Sequence, residues 1–262
     1  MTNQYSEDLK LRLEYHYNAF DKSTVSPDPV EFPHRYSSPQ DIELAAFLSS
    51  VFAYGGITQI IKTLESLFEM MGPSPFDYLT RKRKGNFNKT GLYHRFYSSH
   101  DVETLLAALS AILLKYGNIG NMFTGGYDES DINVRGGIEK FSQKFTAILS
   151  SADSGLTHGL KHILPAPSSG SACKRMNLFL RWMIRKDEID FGLWQGIPPS
   201  KLIIPVDVHI ARIAAQLGLT GRKNVNWKMA EEITAALSVY DSADPVKYDF
   251  ALCHIGMRKL SF

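Results

Sequence analysis

A chain of 262 residues, 44% of them hydrophobic, can bury one substantial core or two smaller lobes, which excludes a disordered tail. With 29 Lys and Arg against 27 Asp and Glu the formal charge is only +2, so attraction to a polyanion has to come from local clusters and not from the sum. Two cysteines, Cys173 and Cys253, exclude a four-cysteine zinc or iron–sulfur site built from this chain alone and argue against a disulfide scaffold, so no metal or cofactor is expected.

Periodicity along the chain is helical almost throughout. The first amphipathic helix is predicted from Leu9, Leu13 and Tyr17 behind the start signal Ser6-Glu7-Asp8. Asp41 precedes the apolar run Ile42 to Phe52, dense enough for a buried helix, and Gly55-Gly56 separates it from a second helix over Ile57 to Phe68. Further helices are predicted over 101–116, 138–149, 173–186, 207–217, 227–237 and 244–257, the last opening with Asp244 as cap and Pro245 in the first helical position. Residues 81–100 and 117–136 read as loops, and Pro165 to Ser171 as a compact turn. No segment argues for a sheet, so the expected class is all-α. No run of about 18 apolar residues occurs and Met1 to Lys10 is polar, which predicts a soluble cytoplasmic protein without membrane association.

Two segments carry chemistry. The first runs from Gly159-Leu160-Lys161-His162-Ile163-Leu164-Pro165 through the turn to Gly170-Ser171-Ala172-Cys173-Lys174-Arg175-Met176-Asn177, a helix, a tight turn and a helix spanning 159–186. A turn of small residues before a helix start aims backbone N–H groups at a phosphate. The second is Ile204-Pro205-Val206-Asp207-Val208-His209-Ile210-Ala211-Arg212-Ile213, which sets an acid at a helix start beside a histidine.

These segments resemble the helix-hairpin-helix DNA glycosylases, in which a Val-Asp-Thr-His or Val-Asp-Val-His sequence opens a helix. The resemblance implies a two-lobed helical glycosylase fold, with a central lobe over about 40–150 and a second lobe formed by 1–39 plus 151–262. It implies that Lys174, at the start of the helix after the hairpin, attacks the sugar C1′ while Asp207 stabilises the cationic sugar. Gly170, Ser171, Arg175 and His209 would contact DNA, and Phe52, Tyr54, Asp249 and Cys253 would form the base pocket. The implied partner is double-stranded DNA containing a damaged base, an oxidised purine such as 8-oxoguanine, with no obligate protein partner. An extra connection between Lys174 and Asp207, containing Lys186 to Trp194, is similar to that of the archaeal 8-oxoguanine glycosylases. The chain also resembles an uncharacterised bacterial family that carries Gly-Ser-Ala-Cys-Lys-Arg, Phe-Leu-Arg-Trp-Met and Asp-Pro-Val-Lys-Tyr-Asp-Phe-Ala-Leu, here at 170–175, 179–183 and 244–252.

Each assignment has a plainer competitor. Asp207 serves equally as an N-cap, His209 as a histidine bonded to backbone, Asp249 as a structural carboxylate and Cys253 as an inert buried thiol. Phe52 reads as core, Tyr54 less firmly so, and Trp194 as an anchor for the extra segment. The acid-free stretch Arg81-Lys82-Arg83-Lys84, Lys89 and Arg95, interleaved with Phe87 and Tyr93, suits a DNA backbone or a solvated loop. The helix 175–184 is apolar around most of its circumference, so Lys174 is expected at a buried edge, with its pKa lowered by desolvation. The alternatives are a non-catalytic helix-hairpin-helix DNA-binding protein, a monofunctional glycosylase in which Asp207 activates water, and an all-α protein that binds another partner.

Overall fold

Residue 39 opens a deeply buried helix: Ser38 caps it, Pro39 takes the first helical position and twelve consecutive residues from Asp41 to Phe52 are buried. In the computed structural model, which describes residues 5–81, 87, 90–151 and 155–258, every regular element is helical. Among the described residues there is no strand, only two isolated antiparallel bridges, His94 with Tyr97 and Lys186 with Phe191. No helix among them is long and apolar enough to cross a membrane.

The α-helices are α1 (Glu7–Asn18), α2 (Pro39–Phe52), α3 (Ile57–Met71), α4 (Pro75–Arg81), α5 (Ser99–Tyr116), α6 (Ile119–Thr124), α7 (Arg135–Ser150), α8 (His158–Lys161), α9 (Lys174–Ile184), α10 (Val208–Gln216), α11 (Trp227–Ser238) and α12 (Asp249–Arg258). Local signals explain most starts: Ser6, Ser38, Ser98 and Asn226 each accept a backbone N–H from the first turn of the helix they precede.

Two expected features differ. Helix α6 lies where loop was expected, while α4 fills a span for which no element was predicted. For α6 the reason is tertiary: the buried carboxylate of Glu43 on α2 accepts from Ile119 N at 2.8 Å and Gly120 N at 3.0 Å. The last helix begins at Asp249 and not at Asp244-Pro245, because the Asp244 carboxylate turns to Arg185 Nε at 2.8 and 2.9 Å and a turn occupies 245–248.

The chain forms two compact units that it enters more than once. One comprises Ser26–Asp128 and Gly136–Pro165. In it α2 packs against α3, α4 and the short 3-10 turns at 29–31 and 33–35, while α5 packs against α4, α6 and α8. Phe47, Phe123, Phe141 and Phe145 are wholly buried and meet with ring centroids 5.7–6.3 Å apart. Burying each such ring contributes roughly 1.5–3 kcal/mol.

The other unit comprises Met1–Val25, Glu129–Arg135 and Ala166–Phe262. Here α12 packs on α10 and α1. Segment 129–135 is held by Val134 N donating to Lys201 O at 3.1 Å and Lys201 Nζ donating to Asp131 O at 2.5 Å. The division places 26–39 and 151–165 with α2–α8 and sends 129–135 the other way. The anticipated hairpin therefore has its single-turn first helix, α8, in one unit and its second helix, α9, in the other.

Candidate active site around Lys174 and Asp207

The approach to α9 is built from small residues. A 3-10 turn at Pro167–Ser169 ends on Gly170 in the left-handed region (φ 81°, ψ 0°), where a side chain would be strained although nothing crowds the position. Cys173 also takes the left-handed region (φ 49°, ψ 36°), which costs a non-glycine residue about 1–2 kcal/mol. That conformation is held by Ser171 Oγ, which accepts from Cys173 N at 3.1 Å, and by Asn177 Nδ2, which donates to Ala172 O at 3.0 Å. The kink delivers Lys174 as the first residue of α9 with Arg175 beside it.

The apolar run Leu202 to Val206 is buried, with Ile204 N donating to Thr234 Oγ1 at 3.0 Å, and it brings Asp207 to the start of α10. Asp207 divides its two oxygens. Oδ1 accepts from His209 N at 2.8 Å and Ile210 N at 3.0 Å, which caps α10; Oδ2 lies 2.9 Å from Lys174 Nζ. Two residues 33 positions apart in sequence are thus in direct contact. The cap and the ion pair are made by one carboxylate.

The electrostatics run opposite to the expected lowering at Lys174. Burial pushes its ammonium toward the neutral form, but the Asp207 charge, followed by Cys253 and Asp249, outweighs that and raises its pKa. Its side chain keeps 32% of its surface exposed, so desolvation is incomplete. For Asp207, burial pushes the carboxyl up, while the Lys174 charge and the amides of Ile210 and His209 pull it lower, and the net shift is downward. The resting state is an ammonium–carboxylate pair.

Asp249 and Cys253 stand one turn apart on α12, and the Lys174 ammonium feels both. Asp249 is buried and ion-paired with Arg181. Burial holds its carboxyl up at about 6 even with Arg181 pulling it down, and the Asp207 charge adds to the upward push. Cys253 is half-buried and in no disulfide.

Behind this cluster lies an ionic network absent from the sequence reading. Arg181 donates from Nε and Nη2 to Asp190 at 3.2 and 3.0 Å, and Arg185 pairs with Asp190, with Asp187 at 3.0 Å and with Asp244. The extra segment after α9 is fastened by this network and by Phe191 N and Trp194 N, which donate to Trp182 O and Met183 O, both at 2.8 Å. Trp194 packs edge-on against Phe179 at 5.2 Å, as an anchor does. The available signal was two arginines four residues apart inside a helix read as apolar.

The remaining predicted residues fall as follows. His209 is half-buried in the first turn of α10. Phe52 and Tyr54 belong to the other unit. Phe52 has no exposed surface and packs edge-on against His94 and Tyr97, whereas Tyr54 is 37% exposed. Of the basic stretch, Lys82, Arg83, Lys84 and Lys89 lie outside the described residues; Phe87 is buried, and Tyr93 and Arg95 are exposed. Among the described residues no group of three or more His, Cys, Asp or Glu is arranged to hold a metal ion.

No curated protein and no solved structure matches the chain. A family model does, over residues 28–258, a span that takes in Lys174, Asp207, Asp249 and Cys253. The chain belongs to the family described as protein of unknown function, DUF2400.

Proposed function

We propose that this protein is a DNA base-excision glycosylase with an attached AP lyase step, acting on an oxidised purine such as 8-oxoguanine. The observation that carries the reading is the 2.9 Å contact between Lys174 Nζ, at the first position of a helix, and Asp207 Oδ2, at the cap of another. A lysine nucleophile needs a group that takes its proton and a carboxylate that faces developing positive charge on the sugar, and Asp207 offers both. The helix-hairpin-helix resemblance of the segments around Lys174 and Asp207 supports the same reading, and with it the glycosylase fold.

In this scheme entry of the sugar separates the ion pair, and Lys174 Nζ passes a proton to Asp207, which releases it to solvent and is a carboxylate again before C1′ is attacked. Nζ then bonds to C1′ as the N-glycosidic bond breaks, and the base leaves with that electron pair and is protonated from solvent. Ring opening gives the Schiff base; loss of a C2′ proton and breakage of the C3′–O bond cut the strand. Asp207 opposes the positive charge throughout.

Borohydride trapping on duplexes carrying 8-oxoguanine, an abasic site or no lesion tests the scheme. The expected result is a lesion-dependent covalent adduct that Lys174→Gln abolishes and Asp207→Asn slows. Absence of both adduct and base release across a panel of lesions would sink the catalytic reading in favour of a non-catalytic DNA-binding one. A second reading is favoured by the raised pKa of Lys174: the lysine stays an ammonium and Asp207 activates water. Base release without an adduct identifies that monofunctional enzyme.

A further inference from the structure

In the unit formed by 26–128 and 136–165, the segment before α5 makes a tight turn. His94 and Tyr97 exchange backbone hydrogen bonds of 3.0 and 2.8 Å, which leaves Arg95 and Phe96 at the tip. Arg95 adopts φ 53°, a conformation that favours glycine at such a position. The turn is rooted by His94, which is fully buried and hydrogen-bonds Tyr54 O and Thr63 Oγ1, each at 2.9 Å.

What the strained turn displays is a group of flat rings around a cation. The Arg95 guanidinium lies 4.4 Å from the Tyr54 ring and 5.6 Å from the Phe96 ring, and those two rings are 5.7 Å apart. Phe96 continues edge-on to His158 at 5.9 Å. Phe96 is 51% exposed and Tyr93, just before the turn, 67%. Gly55 (φ 116°) makes room for this arrangement, since a Cβ there would meet Arg95 Cδ at 2.7 Å. Large rings left in water beside a guanidinium contribute little to a core.

We infer that the Tyr54–Arg95–Phe96 cluster is a stacking platform for an unpaired base of DNA. Ring faces accept any base, and Arg95 supplies the charge that a flanking phosphate needs, which is the combination that single-stranded nucleic acid recognises. The inference rests on the DNA-directed part of the proposed function and on none of its chemistry.

The test is fluorescence anisotropy of the full chain on an unmodified single-stranded oligonucleotide and on the matching duplex, with Phe96→Ser and Arg95→Gly. Arg95→Gly removes the cation while easing the turn, so its thermal midpoint is expected to hold or rise as affinity falls. Each variant is expected to lose about ten-fold or more for the single strand, the range of one stacked base, and less for the duplex. Unchanged single-strand affinity in both variants, or no single-strand binding by the parent, overturns the proposal. So does a parent that self-associates through this patch, with Phe96→Ser abolishing the dimer and leaving oligonucleotide affinity intact. Because the oligonucleotide carries no lesion, failure here leaves the trapping result standing, and failure of trapping leaves this result standing.

Discussion

Asp207 carries two jobs that substitution can separate. Asp207→Asn keeps an oxygen for the amides of His209 and Ile210 but gives up the full charge facing Lys174, whereas Asp207→Ala loses both. In urea melts Asp207→Ala is expected to cost about 1–2 kcal/mol more than Asp207→Asn, the usual value of a cap. The pH dependence follows from the two shifts. Asp207 is lowered from 3.8, so its contribution to stability is complete above that value and lost as pH falls through its depressed folded pKa. Lys174 is raised from 10.5, so its contribution is complete below that value and lost only as pH rises through its elevated folded pKa. Between these limits the pair stays charged, and under the lysine mechanism the trapping rate is expected to climb between about pH 6 and pH 9 without a plateau. A plateau near neutrality would mean a Lys174 already neutral at rest. Arg181 presents the opposite balance. Its removal leaves Asp190 and Asp249 buried with a lost partner, so Arg181→Met is expected to destabilise by about 3–5 kcal/mol, and Asp249→Asn by clearly less, in the same melts.

Elements differ in where their instructions lie. Helices α1, α2 and α5 carry a serine cap and apolar periodicity in their own residues, and they form close to where those signals put them. Helix α6 has a local cap in Asn118 but also depends on Glu43, 76 residues before Ile119. Glu43→Ala removes two charge-assisted bonds from buried amides, for which a loss of about 1.5–3 kcal/mol is expected, with hydrogen exchange accelerated first across 119–124. Glu43→Gln should retain part of the protection. The extra connection after α9 is fastened by Asp190 and Trp194 to Arg181 and Phe179 of α9 and by Asp187 to Arg185, the residue that caps its end. Trp194→Ala is expected to cost about 3–5 kcal/mol. An unchanged midpoint would mean that this segment is not part of the cooperative core.

At the scale of the molecule, a formal charge of +2 provides little general attraction to DNA. Affinity for intact duplex is expected to fall with added salt, because counterion release supplies nearly all of it and no base is read, while affinity for an abasic duplex falls less. The ratio of the two, measured by anisotropy between about 0.05 and 0.2 M salt, should therefore widen; a constant ratio would indicate that lesion and duplex are held by the same phosphate contacts. The all-α class, most helix boundaries and the caps at Ser6 and Asp207 were legible in the residues, because capping and apolar periodicity act within one or two turns. The start of the last helix was not, since Asp244 had two uses and only the position of Arg185 chose between them. Nor was the direction of the Lys174 shift: burial alone lowers a lysine, and a carboxylate 33 residues away reverses the sign. The ring cluster at Tyr54, Arg95 and Phe96 belongs to the same class, assembled from two loops by a turn that no single residue announces. Sequence alone determined the kind of element and the chemistry it carries, because those are local free energies; tertiary structure decided which charges and rings meet, because Coulomb and packing energies depend on distance in space and not along the chain.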